Sequence, residues 1–472
     1  MEPAIRNKKE LLSAGDVESR KIILEAAERT LRMLNAEKRI ESIFKREGSV
    51  VSIGAKSWDL AQKRNVYLIG AGKACNAMAM AVEHVLGEYL TDGIAIVKIA
   101  EDSDDFKKTR VYVGGHPVPN EAGLSACREV QKMIDGANEE DIFFCVMSGG
   151  SSALMGCPLP GITLEEEART TDILLKSGAN IREINAVRRH ISAMNGGRMA
   201  QKIADKRAEL VGFNISDSVA YGPTKDISIP WENFSATPMG PDHTTLEDAI
   251  GVIRDYALED RLPASVTRYL KTCGPEGETP KAFPQNTYYQ IDTLPDSCVF
   301  AMQAAEQMGI PAIVLTTYLE GEAEDAGRFM AAIARQIQQY GQPVKAPCLV
   351  FCAGEVVTTI TDNRVIRGHG GPSHEMALGF AAAAEKIPGA CFLSIDSEGT
   401  DGTTPAAGGI ADSKTMAALE AAGIHWPEVM RSHASHEALK AIGGAVFTGN
   451  TGTNVCDFNI LYVPEGVLAE RK

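Results

Sequence analysis

Positive charge is what this chain is short of: 47 Lys and Arg stand against 62 Asp and Glu, a formal charge of −15 at pH 7. That deficit opposes a broad electrostatic hold on nucleic acid or on an anionic membrane. It still leaves room for a small anionic substrate where a cleft gathers a few cations. The ten cysteines, at 75, 127, 145, 157, 273, 298, 348, 352, 391 and 456, include no CxxC pair, and several lie in apolar runs such as "CLVFCAG". This argues against a zinc site and for buried, reduced thiols in a reducing compartment. No uninterrupted apolar stretch approaches the roughly 20 residues of a membrane span. The first residues, "MEPAIRNKKELLSAGD", lack the apolar core of a signal peptide, so a cytoplasmic location is expected. There is also no low-complexity tract and no short repeat.

What is present is ordinary globular composition. With 44% hydrophobic and 23% charged residues over 472 positions, the chain is too long for one core and predicts two or three domains. Helical spacing runs from about 17 to 46, so the chain begins with one or two helices. From "NVYLIGAGKACNAMAMAVEHVLG" onward, strands and helices alternate through "GIAIVK", "RVYVGGH" and the uncharged run Ile142–Met147, which predicts a parallel sheet covered on both faces. "ELVGFNI" is a further strand. The segment from Ser218 to about Thr245, rich in Pro, Gly and aromatics, reads as a long functional or disordered loop. A second alternation begins near Tyr288 with "PAIVLTT", "PCLVFCAG", "VTTITDN" and "ACFLSIDSEG" as strands, placing the domain boundary between about 245 and 288.

Four small-residue turns follow apolar strands: "IGAGKA", "MSGGSSA", "DSEGTDGTTPAAGG" and "FTGNTGTNVCD". Together they suit a site that grips phosphates by backbone N–H groups and a metal by carboxylates. In the second, Gly149 and Gly150 permit a tight turn and close approach of a ligand, while Ser148, Ser151 and Ser152 offer hydroxyls. Gly70, Gly72 and Lys73 complete neither a dinucleotide fingerprint nor a phosphate loop. A Lys at a helix start nonetheless opposes the dipole and suits a bound anion; the alternative is a solvated side chain. Asp396, Glu398 and Asp401 cluster after a strand, and Glu355 and Asp217 end two others, positions that suit oxygen ligands for Mg²⁺ or a general base, although acids also fill ordinary turns. His116 and His374 can act as acid, base or phosphate donor, or simply as structural hydrogen-bonders. Arg188 and Arg189 lie in a helical stretch, where an Arg clamps a carboxylate or faces water.

Taken in order, "IGAGKA", "GGHPVPN", "SGGSSALM", "NAVRRHIS", "NGGRMA", "YLEGEA", "AGEVV", "GTDGTTPAAGG" and "TGNTGTNVCD" resemble the class II glycerate 2-kinases, whose regions are often called DUF4147 and MOFRL. The resemblance covers both halves of the chain. It implies an α/β fold of two domains: a doubly wound, Rossmann-like parallel sheet over 1–260 and a smaller MOFRL-type α/β domain over 261–472, with an active-site cleft between them and last residues that can pack back on the first domain. It implies an ATP- and Mg²⁺-dependent kinase acting on the 2-hydroxyl of D-glycerate or a related acid. Lys73, Asp401 and Arg188 become the expected catalytic groups. Substrate or nucleotide is expected at Gly72, His116, Ser148, Gly149, Gly150, Ser151, Ser152, Asp217, Arg367, His374, Glu375, Gly402, Thr451, Gly452, Thr453 and Asn454, and metal at Glu355, Asp396 and Asp401. No nucleic-acid or membrane partner is expected, and a homo-oligomer is left open.

Three departures stand out. Where the family usually reads Gly-Gly-Arg-Asn-Gln-Glu, this chain has Gly370-Gly371-Pro372-Ser373-His374-Glu375; Lys-Gly-Gly-Arg becomes Asn195-Gly196-Gly197-Arg198; and the loop between Ser218 and Thr245 is rewritten. Two motif cations are lost, with Arg367 and His374 as nearby replacements. Two other readings stay open: an NAD(P)H-dependent hydroxypyruvate reductase, against which stands the incomplete fingerprint at Gly70, and a family member that binds nucleotide or acid with weakened catalysis.

Overall fold

The computed structural model describes residues 4–102, 104–218, 222–234, 238–360 and 366–466. By contacts the chain divides into two compact units, one made of Ala36–Ile215 and Lys225–Ile291, the other of Met1–Asn35, Ser216–Thr224 and Asp292–Lys472. The division does not follow the expected split at 260/261: the second unit recruits the start of the chain. The reason is apolar. Ile23, Leu24 and Leu31, on the helix Val17–Met33, are buried in one core cluster with Leu349, Phe351, Leu393 and Phe458, far along the chain.

In the first unit a small antiparallel sheet of β1 (Phe44–Glu47), β2 (Val50–Ile53) and β3 (Lys56–Asp59) precedes the main one. The helix expected to run to about 46 therefore ends earlier, at Ile43. The main sheet contains β4 (Val66–Gly72), β5 (Asp92–Val97), β6 (Thr109–Val113), β7 (Ile142–Met147), β8 (Glu209–Ser216), β9 (Ser228–Ile229) and β10 (Thr287–Thr293) in the order β6-β5-β4-β7-β8-β10-β9. Its first five strands are all parallel, as a doubly wound sheet requires. Every residue of β7 is buried, matching an uncharged run with helices on both faces. The strand order reverses between β4 and β7, where open α/β sheets place their ligands.

Helices in this unit begin where polar caps dictate. Thr163 with Glu166, Asn180 with Glu183 and Thr245 with Asp248 form reciprocal capping boxes. On the first of these helices Glu167 is buried and its Oε2 makes no hydrogen bond. Burial pushes its carboxyl up to about 7, against the pull of the nearby Arg188. An acid whose folded pKa lies above its unfolded value favours folding at low pH and loses that contribution as pH rises toward 7 and beyond. The stability advantage of Glu167→Gln over the parent should therefore grow by roughly 2 kcal/mol between pH 5 and 8. Urea unfolding at the two pH values measures it; a constant difference would contradict the burial argument.

The second unit is the α/β domain that its strand–helix alternation predicts, and its sheet is mixed. Its strands β11 (Ala312–Glu322), β12 (Cys348–Val357), β13 (Cys391–Asp396), β14 (Gly408–Asp412), β15 (Ala445–Val446) and β16 (Asp457–Val463) run in the order β11-β12-β16-β13-β14-β15. Only β11 and β12 pair parallel; β16 inserts antiparallel between β12 and β13, and β14 and β15 continue antiparallel. "VTTITDN" adds no separate strand among the described residues: β12 ends at Val357, and 361–363 lie outside them. All ten cysteines are free thiols and nine are buried. No helix of the described residues is long and apolar enough to cross a membrane.

Candidate active-site groups

At the switch point of the first unit, the turns after β4 and β7 are laced together. The Lys73 amide donates to Gly149 O (2.9 Å), the Ala74 amide to Ser148 Oγ (3.0 Å), and the Ser148 amide to Ala71 O (3.1 Å). Gly72 has φ +133°, and a Cβ there would overlap the Ser148 hydroxyl, so the close approach requires glycine. Gly150, at φ +83°, lies between Lys73 and His116: a Cβ there would stand 3.1 Å from Lys73 Cγ and 3.0 Å from His116 Cδ2. Lys73, His116, Ser148, Gly149, Gly150 and Ser151 are thus brought together as the sequence predicts. Ser152 joins them through its carbonyl, which accepts from Asn195 Nδ2 (3.1 Å). Asn195 is itself buried, with an Oδ1 that has no hydrogen-bond partner among the described residues. The arrangement presents an ammonium group, hydroxyls and a glycine turn at a strand-order reversal, which suits a phosphate or carboxylate.

Arg188 is committed elsewhere. Its Nη1 donates to Asn185 Oδ1 (3.3 Å) and its charge faces Glu167; among the described residues no hydrogen bond or ion pair ties it to the Lys73 turn. Arg189 is likewise committed, to Asp242 at 2.9 Å.

The second unit gathers acids. Asp457, the first residue of β16, pairs in register with Gly354 near the end of β12 and with Asp396 at the end of β13. Its carboxylate accepts from the Val356 amide (3.1 Å) and the Ser373 hydroxyl (3.3 Å), both uncharged. Burial, then the charges of Asp396 and Asp401, push Asp457 well above the usual carboxylate range. Burial together with Asp217, Glu355, Asp396 and Asp457 does the same to the neighbouring Cys456 thiol. Asp217 is fixed here through Asn454 Nδ2 (3.2 Å) and the Cys456 thiol, which donates to its carbonyl (2.8 Å). Thr451 donates its hydroxyl to Ser397 O, and the Val455 amide donates to Ser397 Oγ (2.8 Å), so the loop carrying Thr451, Gly452, Thr453 and Asn454 is strapped to the turn after β13.

The expected metal set changes as a result. Asp401 is not a free ligand: it is buried, and its Oδ2 accepts from both the backbone amide (2.8 Å) and the ring Nδ1 of His374. Glu355, Asp396 and Asp401 are not drawn into one-ion range; among the described residues the group of metal-binding side chains with ligand atoms all within 4.8 Å is Glu37 and Glu41 of the helix Ala36–Ile43 with His84 of the helix Cys75–Leu86. Asp396 and Asp457 face each other in register, and Glu355 follows Gly354, the β12 partner of Asp457; these three do not form such a group either. Hard oxygen ligands at strand ends, one of them buried against neutral donors and other acids, fit a divalent cation such as Mg²⁺. Asp457 is the residue that strand-end reasoning misses. The ligand rule for parallel sheets looks at carboxyl ends of strands, whereas in an antiparallel β16 the amino end lies at that edge.

The two expected substitutes for the missing arginine differ in placement. His374 is fully buried against Asp401 and His436, and Arg367 is exposed, its backbone amide bonded to Ser432 O (3.1 Å). Glu375 is held by His433 Nδ1 (2.9 Å) and Thr358 Oγ1 (3.3 Å), and Gly402 (φ +58°) packs on Gly370 and Gly371.

The model of the "domain of unknown function (DUF4147)" matches residues 22–271, and that of the "MOFRL family" matches residues 348–457. A glycerate 2-kinase of Pyrococcus horikoshii is 39% identical over 402 residues, covering 83% of this chain and 86% of the relative. A D-glycerate 2-kinase of Thermotoga maritima is 36% identical over 395 residues, 84% of this chain and 90% of the relative. The crystal structure of a Thermotoga maritima glycerate kinase is similar with a TM-score of 0.75 at 32% identity, covering 94% of this chain and 99% of that one. With matched models in both halves and relatives this similar over most of its length, the chain belongs to the glycerate 2-kinase family.

Proposed function

We propose that the protein transfers the γ-phosphoryl group of ATP to the 2-hydroxyl of D-glycerate or a closely related hydroxy acid, in the cytoplasm. The bond from phosphorus to the β-bridging oxygen breaks, a bond to the substrate oxygen forms, the hydroxyl proton is lost to solvent or a nearby base, and ADP leaves. The observation that carries this reading is Lys73 held between two laced glycine turns at the strand-order reversal, in a chain of this family. Phosphoryl transfer asks mainly for positioning and for positive charge on the phosphoryl oxygens. Lys73 supplies an ammonium group, and the Gly149–Ser151 turn supplies hydroxyls and flexible backbone for a charged ligand. Asp396 and Asp457 are the residues suited to hold Mg²⁺, which when bound neutralises phosphate charge.

The test is ADP release by the purified full chain with ATP and Mg²⁺, with and without D-glycerate and a panel of three- to six-carbon hydroxy acids. Release that depends on one of these acids is expected. Folded protein that releases none, but consumes NADH or NADPH with hydroxypyruvate, would replace the kinase reading by the reductase one.

A further inference from the structure

We propose that His374, backed by His436, is a positioning residue for the acidic loop after β13, acting through Asp401. This rests on the reading of Asp396 as a ligand for the divalent ion. Asp401, His374 and His436 form a buried file, 2%, 0% and 7% exposed. A carboxylate accepting from His374 Nδ1 requires the proton on that nitrogen. In the neutral ring Nε2 is then an acceptor, and His436 Nδ1, 3.3 Å away, donates to it.

The loop held in this way closes on itself. The Asp396 amide donates to Ala407 O (2.7 Å), the Asp401 amide to Ala406 O (2.8 Å), and the Thr404 amide to Asp401 O (3.2 Å). Asp396 therefore stands at its base, while the Asp401 side chain ties it to the first turn of the helix Pro372–Ala384. Gly371 permits the tie, since a Cβ there would overlap the Asp401 carboxylate. The next residue back, Ser373, donates to Asp457, which faces Asp396 in register. One helical turn thus bonds Asp457 directly and reaches Asp396 through the loop that Asp401 closes. A helix N-terminus alone attracts an anion without fixing its direction; the imidazole adds direction, and His436 and His433, on one short segment, grip His374 and Glu375 from behind.

Outer partners of metal ligands typically change metal affinity or activity by about 10–100-fold. Mn²⁺, displaceable by Mg²⁺, is the probe: its binding is followed by calorimetry alongside the kinetics of ADP formation. His374→Ala is expected to weaken Mn²⁺ binding and lower kcat by about tenfold or more with KM for the acid within about threefold. His374→Gln, which keeps a side-chain N–H for Asp401, is expected to recover most of both. Should His374→Ala fail to fold, His436→Ala is expected to shift both quantities in the same direction by a smaller factor. Mn²⁺ affinity and kcat unchanged in the alanine variants, a glutamine variant as impaired as alanine, or no Mn²⁺ binding by the parent would overturn the proposal. A parent that forms no ADP while its Mn²⁺ binding responds to His374→Ala would remove the kinase reading and leave this one standing.

Discussion

Lys73→Ala is expected to lower kcat by about 10³-fold or more, the scale on which phosphoryl transfer depends on a single cation at the phosphoryl oxygens. Its stability should barely change. The lacing of the two turns uses the Lys73 main chain, donating to Gly149 O, and the hydroxyl of Ser148, none of which the substitution removes. The helix that follows, Cys75–Leu86, is anchored by buried Cys75, Met78 and Val82. Steady-state kinetics with the unfolding midpoint of the same preparation decide the matter. A variant within tenfold of the parent, or one that unfolds readily with normal specific activity, would make Lys73 a structural residue.

The largest stability effect is expected at Arg20. Arg20 is 1% exposed, and its Nε lies 2.7 Å from Oδ2 of the fully buried Asp412; its Nη1 also donates to Leu11 O and Gly443 O, both at 3.1 Å. Asp412 accepts in addition from the amides of Asp16 (3.0 Å) and Lys414 (2.9 Å). Removing the arginine leaves a buried carboxylate without its counter-charge, a loss that typically costs about 3–5 kcal/mol. Arg20→Ala should therefore detach the N-terminal segment early in urea unfolding. The double replacement Arg20→Met with Asp412→Leu, which removes both charges and keeps apolar volume, should be clearly milder. A cost below about 1 kcal/mol for Arg20→Ala would mean the pair is dispensable.

These two sites also mark what the sequence reveals and what it hides. The parallel strands of the first unit are legible because each is an apolar run followed by a turn, and the glycines at 70, 72, 149 and 150 mark where the chain bends at the switch point. Strand direction in the second unit is not legible. An apolar run of six or seven residues looks the same in either sense, and only long-range pairing decides that β16 enters antiparallel between β12 and β13. Asp457 was hidden by that ambiguity, although it ends a turn already marked as functional. The same holds for Arg20. An amphipathic helix shows which face it buries but not the partner, so nothing local announces that residues near the start pack with a sheet formed some 330 to 440 positions later. The His374 file was half visible. His374 stands in a recognisable motif, whereas His436 lies in "SHASHEALK", a stretch with no signal until the fold brings it to His374.

The most direct measurement is the position of the phosphoester in the product made from ATP, Mg²⁺ and D-glycerate, read by correlating phosphorus and proton NMR signals. Phosphorus coupled to the single proton on carbon 2 is the predicted result. Coupling to the carbon 3 protons, or no phosphoester from any hydroxy acid despite folded protein, would contradict the account.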